Sequence, residues 1–229
     1  MRDCRELGAG DRYRGKELLS ARALQPLLIF PYNGNAIEAV DALGNQFRLV
    51  GFVDDTPEKQ GPSEWGLQVF GREAFARFAD AQVLAVPGAP GSYRERSEII
   101  AGLGIPDERF ATVIHPTART SPRAVIGRNV LIMAGVVISG SARIGNHVCI
   151  LPNTVVHHHV LVEDWALIGA NVTIAGHVRV RANCYIGSGS CVIDHSEVGL
   201  RALVGLGSNV IRNVPSDAKV VGNPARQIP

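Results

Sequence analysis

From Ile114 to Val210 every sixth residue is Ile or Val, Thr120 alone excepted, and the register holds through 17 hexads without an insertion. The leaders include Ile126, Ile132, Ile138, Ile144, Ile150, Val156, Val162, Ile168, Ile174, Val180 and Ile186. A period of six is neither the 3.6 of a helix nor the 2 of a continuous strand, so each hexad must be a short strand plus a turn. Such hexads stack into a parallel β-helix. Three of them make a coil of 18 residues, with leaders pointing inward and successive coils pairing their backbones about 4.8 Å apart. Small residues or Val recur four places after the leader (Ala124, Val130, Val136, Ala142, Val148), where the interior tapers at a corner. Glycine often follows the leader, as at Gly127, Gly145, Gly169, Gly187, Gly199 and Gly205. The expectation there is a turn with backbone angles that glycine reaches most easily.

Before residue 114 the repeat is absent and short apolar strands alternate with helical stretches. PLLIF (26–30) reads as a buried strand, AIEAVDAL (36–43) as a helix, and FRLVGFVDD (47–55) as a second strand ending in paired acids. LQVFG, REAFARFA, QVLAVP and SYRERSEIIAGLG continue the alternation, which implies a small parallel, Rossmann-like sheet with helices on its faces. Asp54 and Asp55 then fall at the carboxyl end of a strand, where open α/β sheets bind ligands. The first strand-to-helix turn, PYNGN (31–35), keeps a single glycine, Gly34, so a dinucleotide fingerprint fails. Asn33, Gly34 and Asn35 are candidates to hold a phosphate or sugar through backbone N–H groups, with an ordinary turn as the equal alternative. The chain thus divides into an N-terminal extension (1–25), an α/β unit (26–113), β-helix coils (114–215) and a tail (216–229).

With 46% hydrophobic residues the chain can bury a core, and a net charge of +2 with no strongly basic stretch argues against nucleic acid or an anionic membrane as the main partner. No apolar run is long enough for a membrane span, and the charged opening MRDCRELGAGDRYRGKELLSARALQ lacks a secretory signal pattern, so a cytoplasmic location is expected. Cys4, Cys149, Cys184 and Cys191 show no CxxC spacing; packing inside the repeat is the expectation for the last three.

The FVDD run (52–55), the coils and the closing VVGNPAR (220–226) together resemble the hexapeptide-repeat sugar acyltransferases, within them the sialic-acid O-acetyltransferase and UDP-4-amino-sugar N-acetyltransferase group. The resemblance implies a left-handed β-helix, a homotrimer with active sites between subunits, a nucleotide-sugar substrate on the α/β unit and acetyl-CoA in the groove between β-helices. It implies acetyl transfer to a sugar amino group for surface-polysaccharide (lipopolysaccharide) synthesis, with a hydroxyl acceptor or a non-catalytic trimeric scaffold as alternatives. The family's catalytic histidine matches His158, in the run Val156-His157-His158-His159. Its usual acidic neighbour is replaced by His159, so another group, a backbone carbonyl or a neighbouring subunit, is expected to orient the base. The family's second substrate-facing histidine is Leu167. Acyl-CoA is expected along Gly176, whose amide would meet the thioester carbonyl, with Gly187, Gly205 and the tail residues Asn223, Pro224, Ala225 and Arg226.

The residues support this chemistry on their own terms. An acceptor attacking a thioester must shed a proton, and an imidazole titrates near neutrality. Coil arithmetic puts Gly140 one coil before His158 and Gly176 one coil after it, predicting an open slot beside the imidazole. Period-2 alternation sets His157 on the other side of the local strand, leaving it a weaker competitor for the base. His159, His177 and His195, each 18 apart, should stack at one corner. The His-x4-His pair of zinc-binding β-helix carbonic anhydrases is missing, so they read as turn residues on the acyl-CoA groove or trimer seam, with no metal expected. Trp165 and Tyr185 are expected at the trimer seam, and His147 as an ordinary turn residue.

Overall fold

A computed structural model describes residues 24–64 and 66–229. All but the last two residues of the extension expected over 1–25, Cys4 included, lie outside the described residues.

Strands β1 (Gln25–Phe30), β2 (Phe47–Val53), β3 (Gly61–Pro62), β4 (Gln68–Phe70) and β5 (Gln82–Ala85) form one sheet in the order β3-β4-β2-β1-β5. The pairs β1/β2, β1/β5 and β2/β4 are parallel, whereas β3 runs antiparallel to β4, so the sheet is not wholly parallel as expected. The chain turns back tightly there, with the Ser63 amide donating to Leu67 O at 2.7 Å, and Pro62 stands on the edge strand where its missing N–H does no harm. Helix α1 (Gly34–Ala42) follows β1 and buries Ala36, Ala39 and Ala42 against the sheet. Helix α2 (Ala74–Arg77) is shorter than REAFARFA suggested, and the last helical stretch begins as a 3₁₀ turn at Tyr93–Glu95 before α3 (Arg96–Ala101).

From Val113 onward two-residue strands recur every six residues and lie on three faces of a prism. One face runs from Val113–Ile114 through Leu167–Ile168 to Lys219–Val221, the second from Arg119–Thr120 through Val155–Val156 to Asn209–Val210, and the third from Val125–Ile126 through Leu161–Val162 to Glu197–Val198. Register is a uniform step of one coil, as in Val137 with Val155, Val155 with Thr173 and Thr173 with Cys191. The leaders and the residues four places on, among them Ile150, Thr154, Val156, Val160, Ile168, Val172 and Cys184, are buried inside. The first face is covered by the α/β unit: Leu131, Cys149, Leu167 and Tyr185 pack with Leu27, Ile29, Ala36 and Phe52. Of the coil cysteines, Cys184 packs inside as expected, Cys149 is buried instead between the first face and the α/β unit, and Cys191 projects from the second face and is exposed.

The corner geometry corrects the glycine argument. The left-handed backbone falls three places after the leader and is borne by Asn129 (φ 53°), His147 (φ 58°), Asn153 (φ 60°), His159 (φ 58°), Trp165 (φ 59°) and His177 (φ 62°). Glycines directly after the leader have ordinary φ, and their service is steric: a methyl on Gly187 would sit 2.7 Å from Leu206 N and 2.8 Å from the Gly205 carbonyl carbon of the next coil. Gly34, by contrast, has no heavy atom within 4 Å of where its Cβ would be. Gly187→Ala should therefore cost about 1–3 kcal/mol by forcing the coils apart. Gly34→Ala, in α1, should be neutral or stabilising by up to about 1 kcal/mol. Urea unfolding midpoints of the two variants test the contrast.

Candidate functional site

The chemistry-bearing residues gather in two places on opposite sides of the prism. The first is a cleft of about 480 Å³ at the carboxyl ends of β1, β2 and β5, lined by Pro31, Asn33, Asp54, Asp55, Lys59, Arg72 and Ser92 among others. FVDD ends β2 here, yet its two acids do different work. Asp54 is buried; its Oδ2 accepts from Tyr32 N at 3.0 Å and Lys59 Nζ at 3.1 Å, and its Oδ1 from Thr56 N at 2.9 Å. Burial pushes its pKa up, but the Thr56 hydrogen bonds and Lys59 outweigh this and hold the carboxyl below its ordinary value. Asp55 is half-exposed and clasped by Arg72 through two contacts, Nε at 2.6 Å and a second guanidinium nitrogen at 2.8 Å. The Asp55 hydrogen bond raises the Arg72 pKa above its ordinary value. Lys59 and Arg72 were not singled out from sequence, because nothing in the order of residues brings positions 59 and 72 to one cleft.

The PYNGN turn is a self-sufficient cap. Asn33 Oδ1 accepts from Ala36 N at 2.9 Å, closing the start of α1, and Asn35 Nδ2 reaches Gly88 O at 3.4 Å. Beside it a second cavity of about 330 Å³ is lined by Asn33, Gly34, Asn35, Glu38, Leu151, Leu167 and Tyr185. Leu167, only 3% exposed, forms part of its apolar floor on the first face of the coils. The two cavities share Asn33, Gly88 and Ala89 and so adjoin one another.

The second place is the corner between the second and third faces, where His157, His158 and His159 follow the strand Val155–Val156. His158 is exposed, and its ring lies across the following coil at Gly176. A Cβ at Gly176 would stand 2.7 Å from His158 Cε1 and 3.1 Å from Nε2. The predicted open slot is therefore filled on this side by the imidazole itself, because without a Cβ below it the ring can fold flat. On the other side Arg123 approaches Gly140, its Nε 3.6 Å from where a Cβ would be. His158 Nδ1 lies 3.2 Å from His159 Nδ1, with the rings crossed at 80°. The residue standing where the family has an acid is thus itself a partner of His158 within the chain, beside the backbone carbonyl or neighbouring subunit expected to orient it. With His158 Nδ1–H donating, Nε2 is left as the free acceptor.

The expected ladder is present: His159 and His177 stack at 4.8 Å with planes 7° apart, and His177 and His195 at 4.5 Å and 19°. A little desolvation, then the neighbouring His195, His159 and His158, push the His177 pKa below its ordinary value. Asp194 belongs to His195, whose Nδ1 it meets at 3.0 Å. The Gly176 N–H has no backbone carbonyl acceptor among the described residues.

Other candidates are relocated. Gly187 is buried against the next coil, whereas Gly205 is half-exposed and packs on Val221. The tail folds back as an antiparallel pair of Lys219–Val221 with Arg226–Ile228; Ala225 N donates to Asn209 O at 2.8 Å, and Asn223, Pro224 and Arg226 are exposed. This end of the second face stands three coils, about 14 Å, beyond Val156. Trp165, Tyr185 and His147, the first two expected at a seam between subunits, take part in the contact between the α/β unit and the coils within one chain. The Trp165 and His147 rings stack at 5.9 Å, and Tyr185 meets Tyr93 at 5.8 Å.

Asp54 supplies a pH test. A carboxyl whose folded pKa is depressed contributes stability that is present above its unfolded pKa and lost as pH falls through the folded one. The chain should lose stability on acidification below the ordinary carboxylate range, and Asp54→Asn should flatten that slope in urea titrations run at stepped pH.

The GMPPB C-terminal domain family model matches residues 110–198. No curated protein matches the chain. Among solved structures, the acetyltransferase domain of PglB from Neisseria gonorrhoeae, in complex with acetyl coenzyme A, is similar at 24% identity and a TM-score of 0.78, covering 90% of this chain and 100% of that one. A histidine-to-alanine variant of GDP-perosamine N-acetyltransferase from Caulobacter crescentus, with CoA and GDP-perosamine, is similar at 23% and 0.79, covering 90% and 97%. WeeI from Acinetobacter baumannii is similar at 20% and 0.76, covering 90% and 100%. The chain therefore has the fold of these structures, an α/β unit joined to a left-handed parallel β-helix.

Proposed function

We propose that the chain is an acetyl-CoA-dependent acyltransferase that moves an acetyl group to an amino group of a nucleotide-linked sugar, acting in the cytoplasm in the synthesis of a surface polysaccharide. The observation that carries this reading is the His158 imidazole, tied at Nδ1 by His159 and laid over Gly176 with Nε2 free. The bound acetyl coenzyme A, CoA and GDP-perosamine of the similar structures name the donor and the acceptor class.

On this reading the nucleotide lies in the α/β cleft, where Lys59 and Arg72 supply charge for its phosphates. Asp54 keeps Lys59 at the lip, and Asn33 holds the turn that borders both cavities. The sugar extends past Asn35 toward Leu167 and Tyr185. The thioester lies at the His158 corner, with the CoA chain rising along the second face to Asn223, Pro224, Ala225 and Arg226. The acceptor nitrogen attacks the thioester carbonyl carbon as His158 Nε2 takes its proton; a C–N bond forms, the C–S bond breaks, and the proton passes to the departing sulfur. The Gly176 N–H, free of a backbone acceptor, is offered to the developing oxyanion. No acyl-enzyme forms.

The cleft and the corner also argue for assembly. His158 stands at the vertex between the second and third faces, whereas the α/β unit covers the first, so a sugar held by one chain is served by the base of a neighbour. A homotrimer with its sites between subunits meets this requirement. Leu167, apolar where the resembling enzymes carry a second histidine, favours as a second reading a hydroxyl acceptor that needs no such partner.

The test is thiol release from acetyl-CoA with UDP-, dTDP- and GDP-linked amino sugars and their deaminated counterparts. Release that depends on one nucleotide amino sugar, and falls about 10²- to 10⁴-fold in His158→Ala, is expected. Gly176→Ala should lower kcat similarly while leaving the unfolding midpoint near that of the parent, since its methyl displaces the ring and not the coil. Release only with an unlinked hydroxyl sugar would select the second reading. Silence without CoA binding would leave a scaffold.

A further inference from the structure

We infer that His158, His159 and His177 form a binding site for a late first-row divalent cation, of which Zn²⁺ is the physiological representative, and that occupancy of this site blocks the corner as a base. The ladder read from sequence was His159, His177 and His195; the structure selects a different trio. One ligating nitrogen from each of His158, His159 and His177 lies within 4.8 Å of the others. The Nδ1 atoms of His158 and His159 are 3.2 Å apart. Two nitrogens on a tetrahedral zinc with bonds of 2.0–2.1 Å stand about 3.3 Å apart, so this pair is already at the spacing of two ligands.

His177 completes the set by a ring rotation. Its imidazole is stacked between His159 at 4.8 Å and His195 at 4.5 Å and crosses His158 at 79°, and all three ligand side chains are exposed, so the turn gives up only this surface stacking. The backbone beneath is fixed, with His177 N donating to His158 O at 3.1 Å between the two coils. Exposure leaves the fourth position of a tetrahedral ion to water. A set of imidazoles without carboxylates suits Zn²⁺, Co²⁺, Ni²⁺ or Cu²⁺ and disfavours Mg²⁺ and Ca²⁺, which require oxygen. His195 stands outside the trio whose ligating nitrogens lie within 4.8 Å of one another. The ion plays no part in transfer; bound at His158 Nδ1, it leaves the ring's proton on Nε2, which then no longer accepts one from the acceptor.

The site stands on geometry alone, whereas its effect on turnover rests on the acyl-transfer reading. Tag-free protein is titrated with Co²⁺, followed by its visible absorption, and with Zn²⁺ by equilibrium dialysis. One ion per chain is expected. His159→Asn and His177→Asn should each weaken it by about tenfold or more, asparagine being chosen because it tolerates the left-handed corner. His195→Asn should bind as the parent does. Zn²⁺ should slow thiol release with the same midpoint as binding, and a chelator should restore it. Absence of binding, binding unchanged in His177→Asn, or binding lost in His195→Asn would overturn the site; bound zinc that leaves turnover untouched would overturn the blocking role. Binding as described in a chain that releases no thiol with any acceptor would sink the enzymatic reading and leave the site standing.

Discussion

The hydrogen bonds between successive coils are the constraint from which the rest of the structure follows. Along the faces, the N–H of one coil donates to a carbonyl of the next, as in Leu131 to Val148 O, Cys149 to Ala166 O, Leu167 to Cys184 O and Tyr185 to Ala202 O, all between 2.9 and 3.1 Å. Every position therefore becomes a column with a repeat of one strand spacing. A column tolerates no residue that would widen it, hence the glycines after the leaders. Three further columns, one per corner, take the left-handed backbone, and each costs a little strain wherever its residue is not glycine, Asn or Asp.

Each corner carries a different burden. Between the first and second faces the column is Gly135, Asn153, Asn171, Gly189 and Gly207, the residues that adopt this conformation most easily. Between the second and third it is Ser141, His159, His177 and His195. Between the third and first it is Asn129, His147, Trp165, Asn183 and Arg201, and every one of these touches the α/β unit. Asn129 exchanges two hydrogen bonds with the backbone of Ala85 at 2.7 and 2.8 Å, extending the edge of β5 with a side-chain amide. Asn183 meets Ser97 at 3.1 Å, and Arg201 O accepts from the Tyr93 hydroxyl at 2.8 Å. Arg96 is wholly buried and directs its guanidinium to the carbonyls of Pro87, Trp165 and His147. Burial lowers its pKa to about 10, which leaves it charged at neutral pH, so its hydrogen bonds to three carbonyls are charge-assisted and fix one orientation of the two parts.

This division of labour explains what could be read from the chain and what could not. The coils were legible because a hydrophobic period of six has one structural solution, and the α/β order was legible from alternation. Spacing also placed His159, His177 and His195 in one column. The docking corner was hidden: His147 and Trp165 occupy the same repeat position as the histidines, and only the fold of the preceding chain decides which corner it covers. Arg96 looks like any helical arginine. Lys59 and Arg72 meet only through the path of β2, β4 and the loops after them. The His158–His159 contact was missed for another reason. Adjacent residues on an extended chain point apart, but His159 sits at φ 58°, and that reversal brings its ring back to its neighbour.

The same reversal connects the corner to its proposed chemistry. A base needs one nitrogen held and the other bare, and an acid is one way of holding the first. A second imidazole does so without adding a negative charge beside His158, the corner's carboxylate, Asp194, being held on His195. Such a corner suits the approach of a thioester whose carbonyl oxygen gains charge as it is attacked. It also leaves the pair of nitrogens open to any cation that prefers imidazole, a susceptibility that a carboxylate hydrogen-bonded in that place would not share in the same form. The replacement of an acid by His159 thus binds the two properties together: the contact that frees Nε2 of His158 for a proton is the contact whose spacing suits a metal.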